Sequence, residues 1–244
     1  MSTTCIVIPC YNEAIRFQKN EFESFLNQNL TINFLLVDDG STDDTSKMLI
    51  ELSKKHQNQV SHLVLAKNKG KAEAVRQGIM NCVNKFDVVG FWDADFSTPL
   101  FEINNLMSCF ESQSEVDFVF GSRVKRMGAS IIRNPLRHYL GRVFSTLSST
   151  IVRLPVYDSQ CGAKLFTSKT ANKLFEIPFK TKWLFDVELL KRYIQYFGKN
   201  KAIENVLEVP LKQWHEIAGS KLKMIDFIKV PFEMFTIHKN YNSK

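Results

Sequence analysis

The sequence predicts an α/β fold, a mostly parallel sheet with helices on both faces, and three observations lead there. Short apolar runs rich in β-branched residues alternate with segments whose apolar residues recur at helical spacing, the pattern of repeated strand-helix units. The loops with unusual polar chemistry all follow the apolar runs, and in doubly wound sheets ligands bind outside the carboxyl ends of the strands. The 244 residues contain no internal repeat, low-complexity stretch or linker, so one core is expected.

Thr4 to Ile8 reads as the first buried strand, ended by Pro9-Cys10-Tyr11-Asn12-Glu13, after which Phe17, Phe22, Phe25 and Leu26 mark a helix. Thr31 to Val37 is the second strand and runs into Asp38-Asp39-Gly40-Ser41-Thr42-Asp43-Asp44, which offers N-caps to a helix over Lys47 to Lys55. Val60 to Leu65 is the third strand, followed by the basic loop Lys67 to Lys71 and a helix to Cys82. Val88 to Trp92 is the fourth, with Thr98-Pro99 opening the next helix, and Val116 to Phe120 is the fifth. Beyond it the pattern predicts a helix from Pro135 to Ile151, a strand from Ala163 to Phe166 and a helix from Trp183 to Phe197. An edge strand follows from Ile203 to Val209, stopped by Pro210. The apolar, lysine-bearing stretch from Leu222 to Ile237 reads either as a helix packed on the domain and limited by Pro231, or as one lying on a bilayer.

A hydrophobic content of 44% with 23% charged residues is ordinary for a soluble globular protein. The five cysteines form no C-x-x-C pair and are odd in number, which argues for reduced thiols and against a zinc site or disulfide framework. No signal-like segment and no apolar run of about 20 residues occurs, so an intracellular protein without its own anchor is expected.

Asp93 and Asp95, spaced i and i+2 at the end of the fourth strand, are the candidate chemical centre. At a strand end where the chain bends, two such carboxylates can approach one hard cation, Mg²⁺ or Mn²⁺, and leave most of its coordination open to water and diphosphate oxygens. The alternative is a pair of ordinary turn formers, since Asp favours such positions. The net charge of +7 is concentrated: between Gly121 and Thr170 stand Arg123, Lys125, Arg126, Arg133, Arg137, Arg142, Arg153, Lys164 and Lys169 against Asp158 alone. A strip of that kind implies an anionic partner, whether phosphate, nucleic acid or an acidic bilayer.

Pro9 to Glu13, Val37-Asp-Asp-Gly-Ser-Thr-Asp43 and Asp93-Ala-Asp95 together resemble the signature of the inverting family 2 glycosyltransferases with the GT-A fold. Gly121-Ser-Arg123, Asp158-Ser-Gln-Cys-Gly162, Lys164-Leu-Phe166, Trp183 to Leu190 and Trp214 to Leu222 look like the dolichyl-phosphate β-glucosyltransferase branch and its polyprenyl-phosphate relatives. The resemblance covers nearly the whole chain. It implies a single glycosyltransferase domain over 1–244: a nucleotide-sugar-binding half at 1–121, an acceptor-side half at 122–221 and a C-terminal amphipathic segment at 222–244. Three departures stand out: Ala163 where the eukaryotic glucosyl enzymes tend to have Phe, Ser97 where mannosyl relatives offer Gln to the metal, and the lack of their membrane span.

By the same resemblance Pro9, Tyr11, Glu13 and Asp39 hold the nucleoside, with Asp38 as partner or helix cap. Asp93 and Ala94 belong to the nucleotide-sugar site, Lys221 lies in a loop that closes over the diphosphate, and Lys71 reads either as a group approaching the base or the diphosphate or as a solvated lysine. Asp95 binds Mg²⁺ or Mn²⁺ directly, and Asp93 does so through water or touches the ribose. Arg123, Arg137 and Arg133 hold the acceptor phosphate, with Asp158 and Gln160 beside it. Asp93, Asp95, Arg123 and Arg137 thus form the catalytic set. Asp186 and Glu188 read either as groups touching the donor sugar or as a structural salt bridge, and His215 as a metal ligand or a packed histidine. The implied activity is transfer of a hexose from a nucleotide sugar, with UDP-glucose favoured, to a polyprenyl phosphate at the cytoplasmic membrane face, by a peripherally associated protein that binds no nucleic acid. GDP-mannose as donor and a glycan as acceptor are the nearest alternatives. A basic nucleic-acid-binding module is the alternative of another class, and it predicts salt-sensitive DNA or RNA binding.

Overall fold

Period-two alternation sorts the strand residues onto two faces. The computed structural model describes residues 3–132, 146, 148–217 and 224–241, with the backbone alone for 224–228. In β1 (Thr4–Cys10), Cys5 and Val7 enter one core while Ile6, Ile8 and Cys10 enter the other. The same split runs through β2 (Ile32–Asp38), with Leu35 and Val37 against Phe34 and Leu36, and through β4 (Val88–Trp92), with Val89 and Phe91 against Val88 and Trp92. Both faces are therefore covered, as expected for a sheet clad in helices.

The strand order is β3-β2-β1-β4-β7-β5-β8, where β3 is Val60–Val64, β5 Phe118–Ser122, β7 Ala163–Thr167 and β8 Val206–Pro210. All pairs are parallel except those of β7, which lies antiparallel between β4 and β5. A separate two-stranded ribbon joins β6 (Ser130–Ile132) to β9 (Gln213–His215). Helices α1 (Lys19–Gln28), α2 (Thr45–Lys55) and α4 (Glu102–Ser112) bury residues against one face. The other face takes α3 (Lys71–Cys82), α5 (Ser168–Phe175), α6 (Phe185–Phe197), α7 (Lys199–Asn205) and α8 (Met224–Tyr241).

Three expectations change, and the N-cap choice within Asp38–Asp44 is narrowed. The helix after β4 starts at Glu102 rather than at Thr98-Pro99, because turns occupy the residues between, with Phe96 at φ +52°. Asp43, not Asp44, caps toward α2, its Oδ1 accepting from Thr45 N at 3.0 Å. The edge strand β8 begins at Val206, the preceding residues forming α7. Pro231 lies inside α8 without ending it. Most of the expected helix from Pro135 to Ile151 lies outside the described residues, of which 148–152 are helical.

Glu188 and Arg192, one turn apart on α6, are both 0% exposed. Arg192 donates to Glu188 and to the carbonyls of Leu174, Ile177 and Pro178. Glu188 also accepts from Lys180 N, Thr181 N and the Tyr241 hydroxyl. Glu188 thus stands in a buried, fully partnered ion pair. Breaking a buried pair strands its partner, at a cost of about 3–5 kcal/mol. Arg192→Met is therefore expected to lower the urea midpoint by that equivalent, and a loss under ~1 kcal/mol would contradict this assignment.

Glu233 of α8 accepts from Trp183 N and Leu184 N at the start of α6, while Tyr241 reaches Glu188 further along it. The two helices thus run in the same sense, and the first turns of α8 project past the N-terminus of α6. Val230 and Ile237 face the core, whereas Phe232 and Phe235 are 73% and 67% exposed. No helix among the described residues is long and apolar enough to cross a membrane.

Candidate active site

The carboxyl ends of β1 and β2 carry the acidic loop. Asp38 closes β2 and is buried, its Oδ1 accepting from Ser41 N at 3.0 Å, so it shapes the turn. Asp39, also buried, faces the loop after β3: Oδ1 accepts from Lys69 N and Oδ2 from Gly70 N, both at 2.8 Å. Burial raises its pKa above the ordinary carboxylate value, against the pull of those two N–H donors. Gly40, at φ +66°, has no room for a side chain, because a Cβ there would meet the backbone of Lys67 and Asn68. The Pro9–Glu13 turn is stitched to the same loop: Asn12, at φ +49°, accepts from Thr42 N at 2.9 Å, and Glu13 N donates to Thr45 Oγ1 at 2.7 Å. Asp39→Ala is expected to free residues 67–70, read as faster amide hydrogen exchange there with β1 and β4 unchanged; uniform protection would contradict this.

At the end of β4 the chain turns immediately. Asp93 N donates to Gly162 O at 3.1 Å, and Asp93 Oδ1 meets Lys71 Nζ at 2.5 Å. Asp95 Oδ1 accepts from Ser97 N at 3.0 Å, while Oδ2 faces Arg16 at 3.7 Å. Arg16 also reaches Glu13 at 3.6 Å and so ties the β1 loop to the β4 loop. Burial and then the charge of Asp93 raise the Asp95 pKa. Burial opposes the Lys71 ammonium, but Asp93, Asp186 and Asp95 outweigh it and raise its pKa. Ala94 is 5% exposed and packs into the core, so only its backbone is free to face a ligand.

The pair fits a hard divalent cation. Both are oxygen donors, about a third of each side chain is open to solvent (39% and 28%), and their mutual repulsion is what a cation relieves. Among the described residues no third His, Cys, Asp or Glu completes a preformed cluster. His215 is carried close by backbone pairing, its N donating to Ser97 O at 2.9 Å.

Beside β4, the 158–162 loop leads into β7. Gly162 lies directly under Asp93, and a Cβ there would overlap its carboxylate. Arg123, just past the end of β5, is clamped by Asp158: Nε donates to Oδ2 at 2.6 Å and Nη2 to Oδ1 at 2.7 Å. Its guanidinium stacks 5.4 Å from the Trp214 ring. Burial alone would depress its pKa, but the Asp158 carboxylate raises it well above the ordinary value. Glu208 in turn accepts from Tyr157 N and Asp158 N at 2.7 Å each. In the same loop Ser159 Oγ and Gln160 Nε2 are buried with no hydrogen-bond partner among the described residues.

The expected basic strip is thus not all surface. Arg123 is paired internally, Lys164 is 0% exposed, and Lys125, Arg126, Arg153 and Lys169 are exposed. Asp93, Asp95 and Lys71 are brought together, with Asp39 and Glu13 on the β1–β2 side and Arg123, Asp158 and Gln160 on the β7–β5 side. Pro9 and Tyr11 sit partly buried at the end of β1. Arg133, Arg137 and Lys221 lie outside the described residues. Arg16 and Glu208 were not singled out, and Lys164 and Trp214 only as parts of family-like stretches; Arg16 carries a local signal in its i,i+3 spacing from Glu13.

Residues 5–175 match the model of glycosyl transferase family 2. Dolichyl-phosphate beta-glucosyltransferases align with the chain from Trichomonas vaginalis (32% identity, 96% of this chain and 70% of the relative) and Saccharomyces cerevisiae (31%, 97% and 74%). The Homo sapiens enzyme of that name aligns at 32%, over 89% of this chain and 68% of its own. Glucosyl-3-phosphoglycerate synthase from Mycobacterium tuberculosis, solved with Mn²⁺ and UDP-glucose, superposes with a TM-score of 0.71 at 17% identity, over 98% of this chain and 79% of that one. That likeness concerns the fold, which is GT-A. The chain belongs to glycosyltransferase family 2.

Proposed function

We propose that this enzyme transfers glucose, with inversion, from UDP-glucose to a polyprenyl phosphate while peripherally bound to a membrane. The observation that carries this reading is breadth: relatives named for dolichyl-phosphate glucosylation match at 31–32% identity over 89–97% of the chain, a span too long to leave out either side of the site.

In this reading Pro9, Tyr11, Glu13 and Asp39 hold the nucleoside at the ends of β1 and β2, and Asp38 shapes the turn beneath them. Asp39 has both oxygens committed to Lys69 N and Gly70 N, so it meets a ligand through its remaining lone pairs. Asp95, with Asp93 beside it or turned to the ribose, would hold Mg²⁺ or Mn²⁺. The cation, when bound, supplies positive charge to the departing diphosphate. Lys71 adds a fixed cation beside Asp93, and Lys221 supplies a further positive charge to the diphosphate. Arg123, aimed by Asp158, shares the acceptor phosphate with Arg133, Arg137 and Gln160. No general base is required: a phosphate monoester has a second pKa of about 6 and is mostly dianionic near neutrality. The residues need only hold it in line with the anomeric carbon.

The test is thermal stabilisation by UDP, UDP-glucose, UDP-galactose, UDP-N-acetylglucosamine, GDP and GDP-mannose, each with and without Mn²⁺. A metal-dependent shift confined to uridine nucleotides is expected, whereas a shift with GDP-mannose alone would move the donor. Because the Asp95 pKa is raised, the free protein holds that proton to higher pH than an ordinary Asp, and metal binding must expel it. Apparent Mn²⁺ affinity by calorimetry should therefore climb as pH rises through the raised pKa and flatten above it; a profile flat from the ordinary carboxylate range upward would count against Asp95.

Membrane contact is assigned to the outer face of α8, where exposed Phe232 and Phe235 stand among the exposed Lys229 and Lys239. Phe232→Ser/Phe235→Ser should reduce co-sedimentation with anionic vesicles severalfold. Equal sedimentation of both forms would remove α8 from this role.

A further inference from the structure

Arg16 stands between two carboxylates with different assignments, Glu13 on the nucleoside side and Asp95 on the metal side. Its Nη1 lies 3.6 Å from Glu13 Oε1 and its Nη2 3.7 Å from Asp95 Oδ2. Both contacts are ion pairs, and both are too long for hydrogen bonds. Its Nε is buried with no hydrogen-bond partner among the described residues. A guanidinium has five N–H donors in a fixed fork, yet this one is held by charge and packing, shared between two acids and bonded fully to neither. The backbone around it is fixed instead. Arg16 N and Phe17 N donate to Glu13 O, the Phe17 ring packs edge-on against Phe96 at 5.2 Å, and Gln18 Nε2 donates to Asp95 O at 3.0 Å. With both loops braced, the guanidinium can move between its two acids by rotation of its own side chain.

Which acid Arg16 favours depends on what else Asp95 holds. The Asp95 charge is disfavoured by burial and by Asp93, and Arg16 offsets part of that cost. Once Asp95 is neutralised by a divalent cation, Arg16 is repelled from that side and Glu13 becomes its stronger attraction. From 3.6 Å a small rotation completes hydrogen bonds to Glu13, and a carboxylate fixed in that way has less freedom to lose when it meets a ligand. Resting on the proposed transferase function, we propose that Arg16 is a positioning residue that couples the metal site to the nucleoside site, passing from Asp95 to Glu13 when Asp95 takes a cation. Arg16 then has two measurable effects. It competes with the metal for Asp95, which lowers metal affinity in the absence of nucleoside. It also makes each ligand favour the other, because such coupling is reciprocal.

The experiment uses uridine, which has no phosphate of its own to reach a metal. By calorimetry the wild type should bind uridine about fivefold or more tightly with Mn²⁺ than without it, and Mn²⁺ more tightly by the same factor with uridine present. Arg16→Met should bind Mn²⁺ alone severalfold more tightly than the wild type, while its uridine affinity no longer responds to Mn²⁺. Arg16→Lys, which keeps the charge, should retain part of the response. Gln18→Ala cuts the neighbouring tie to Asp95 O without changing any charge, and it should behave as the wild type. Weaker Mn²⁺ binding in Arg16→Met, or a uridine response that survives it, would overturn the assignment. So would an equal loss of response in Gln18→Ala, which would make the link one of packing. A wild type that binds UDP with Mn²⁺ but whose uridine affinity ignores the metal keeps the proposed function and overturns this inference alone. One that binds no nucleotide removes both.

Discussion

Asp95→Ala is expected to lower kcat/KM by at least about 10³-fold, or roughly 4 kcal/mol of transition-state stabilisation. Asp95 has one oxygen fixed by the Ser97 N–H, while the other, among the described residues, faces Arg16 at 3.7 Å and is free to turn to a cation. The substitution also removes a charge that burial and Asp93 disfavour, so the folded protein should lose little and gain stability at neutral pH. A carboxyl whose folded pKa lies above its unfolded one destabilises the native state as pH rises through that window. A variant that is inactive yet as stable as the parent, or more so, is the expected pair of readings. Activity within tenfold of the parent would exclude Asp95 as the metal ligand.

The second large effect is Gly162→Ala. A Cβ there falls on the Asp93 carboxylate, the end of a short side chain that can swing away only by leaving Lys71. Folding should survive with a small loss in melting temperature while turnover drops about 100-fold or more and metal-dependent UDP binding weakens. Gly90→Ala is the informative contrast: its Cβ meets the backbone carbonyl of Lys164 in the neighbouring strand, which cannot rotate away, so there stability should fail first. If Gly162→Ala keeps full activity, the contact between the 158–162 loop and Asp93 has no bearing on the chemistry.

The parts of this arrangement legible in the sequence are those written in local patterns. Val88 to Trp92 alternates between two cores and ends where Asp93 begins, so the strand, its burial and the position of the carboxylates were readable together. The parallel half built from β1 to β4 follows from the same rhythm of apolar runs and helices. What was not legible depends on pairing between distant residues. The strand from Ala163 was expected, but nothing local says that it enters antiparallel between β4 and β5. Arg123 and Asp158 lie 35 residues apart, so the bidentate clamp that turns a presumed free cation into a fixed one carries no sequence signal. Lys164 reads as a surface charge until β7 is placed in the middle of the sheet, and the β6–β9 ribbon joins segments more than 80 residues apart.

The central claim is tested most directly by incubating the purified protein with UDP-glucose, Mn²⁺ and a polyprenyl phosphate in detergent, beside a parallel reaction offering an oligosaccharide acceptor. Release of UDP with formation of a β-linked glucosyl phosphoprenol, and none with the oligosaccharide, is the predicted result. Transfer to the oligosaccharide with no product on the prenyl phosphate would contradict the account.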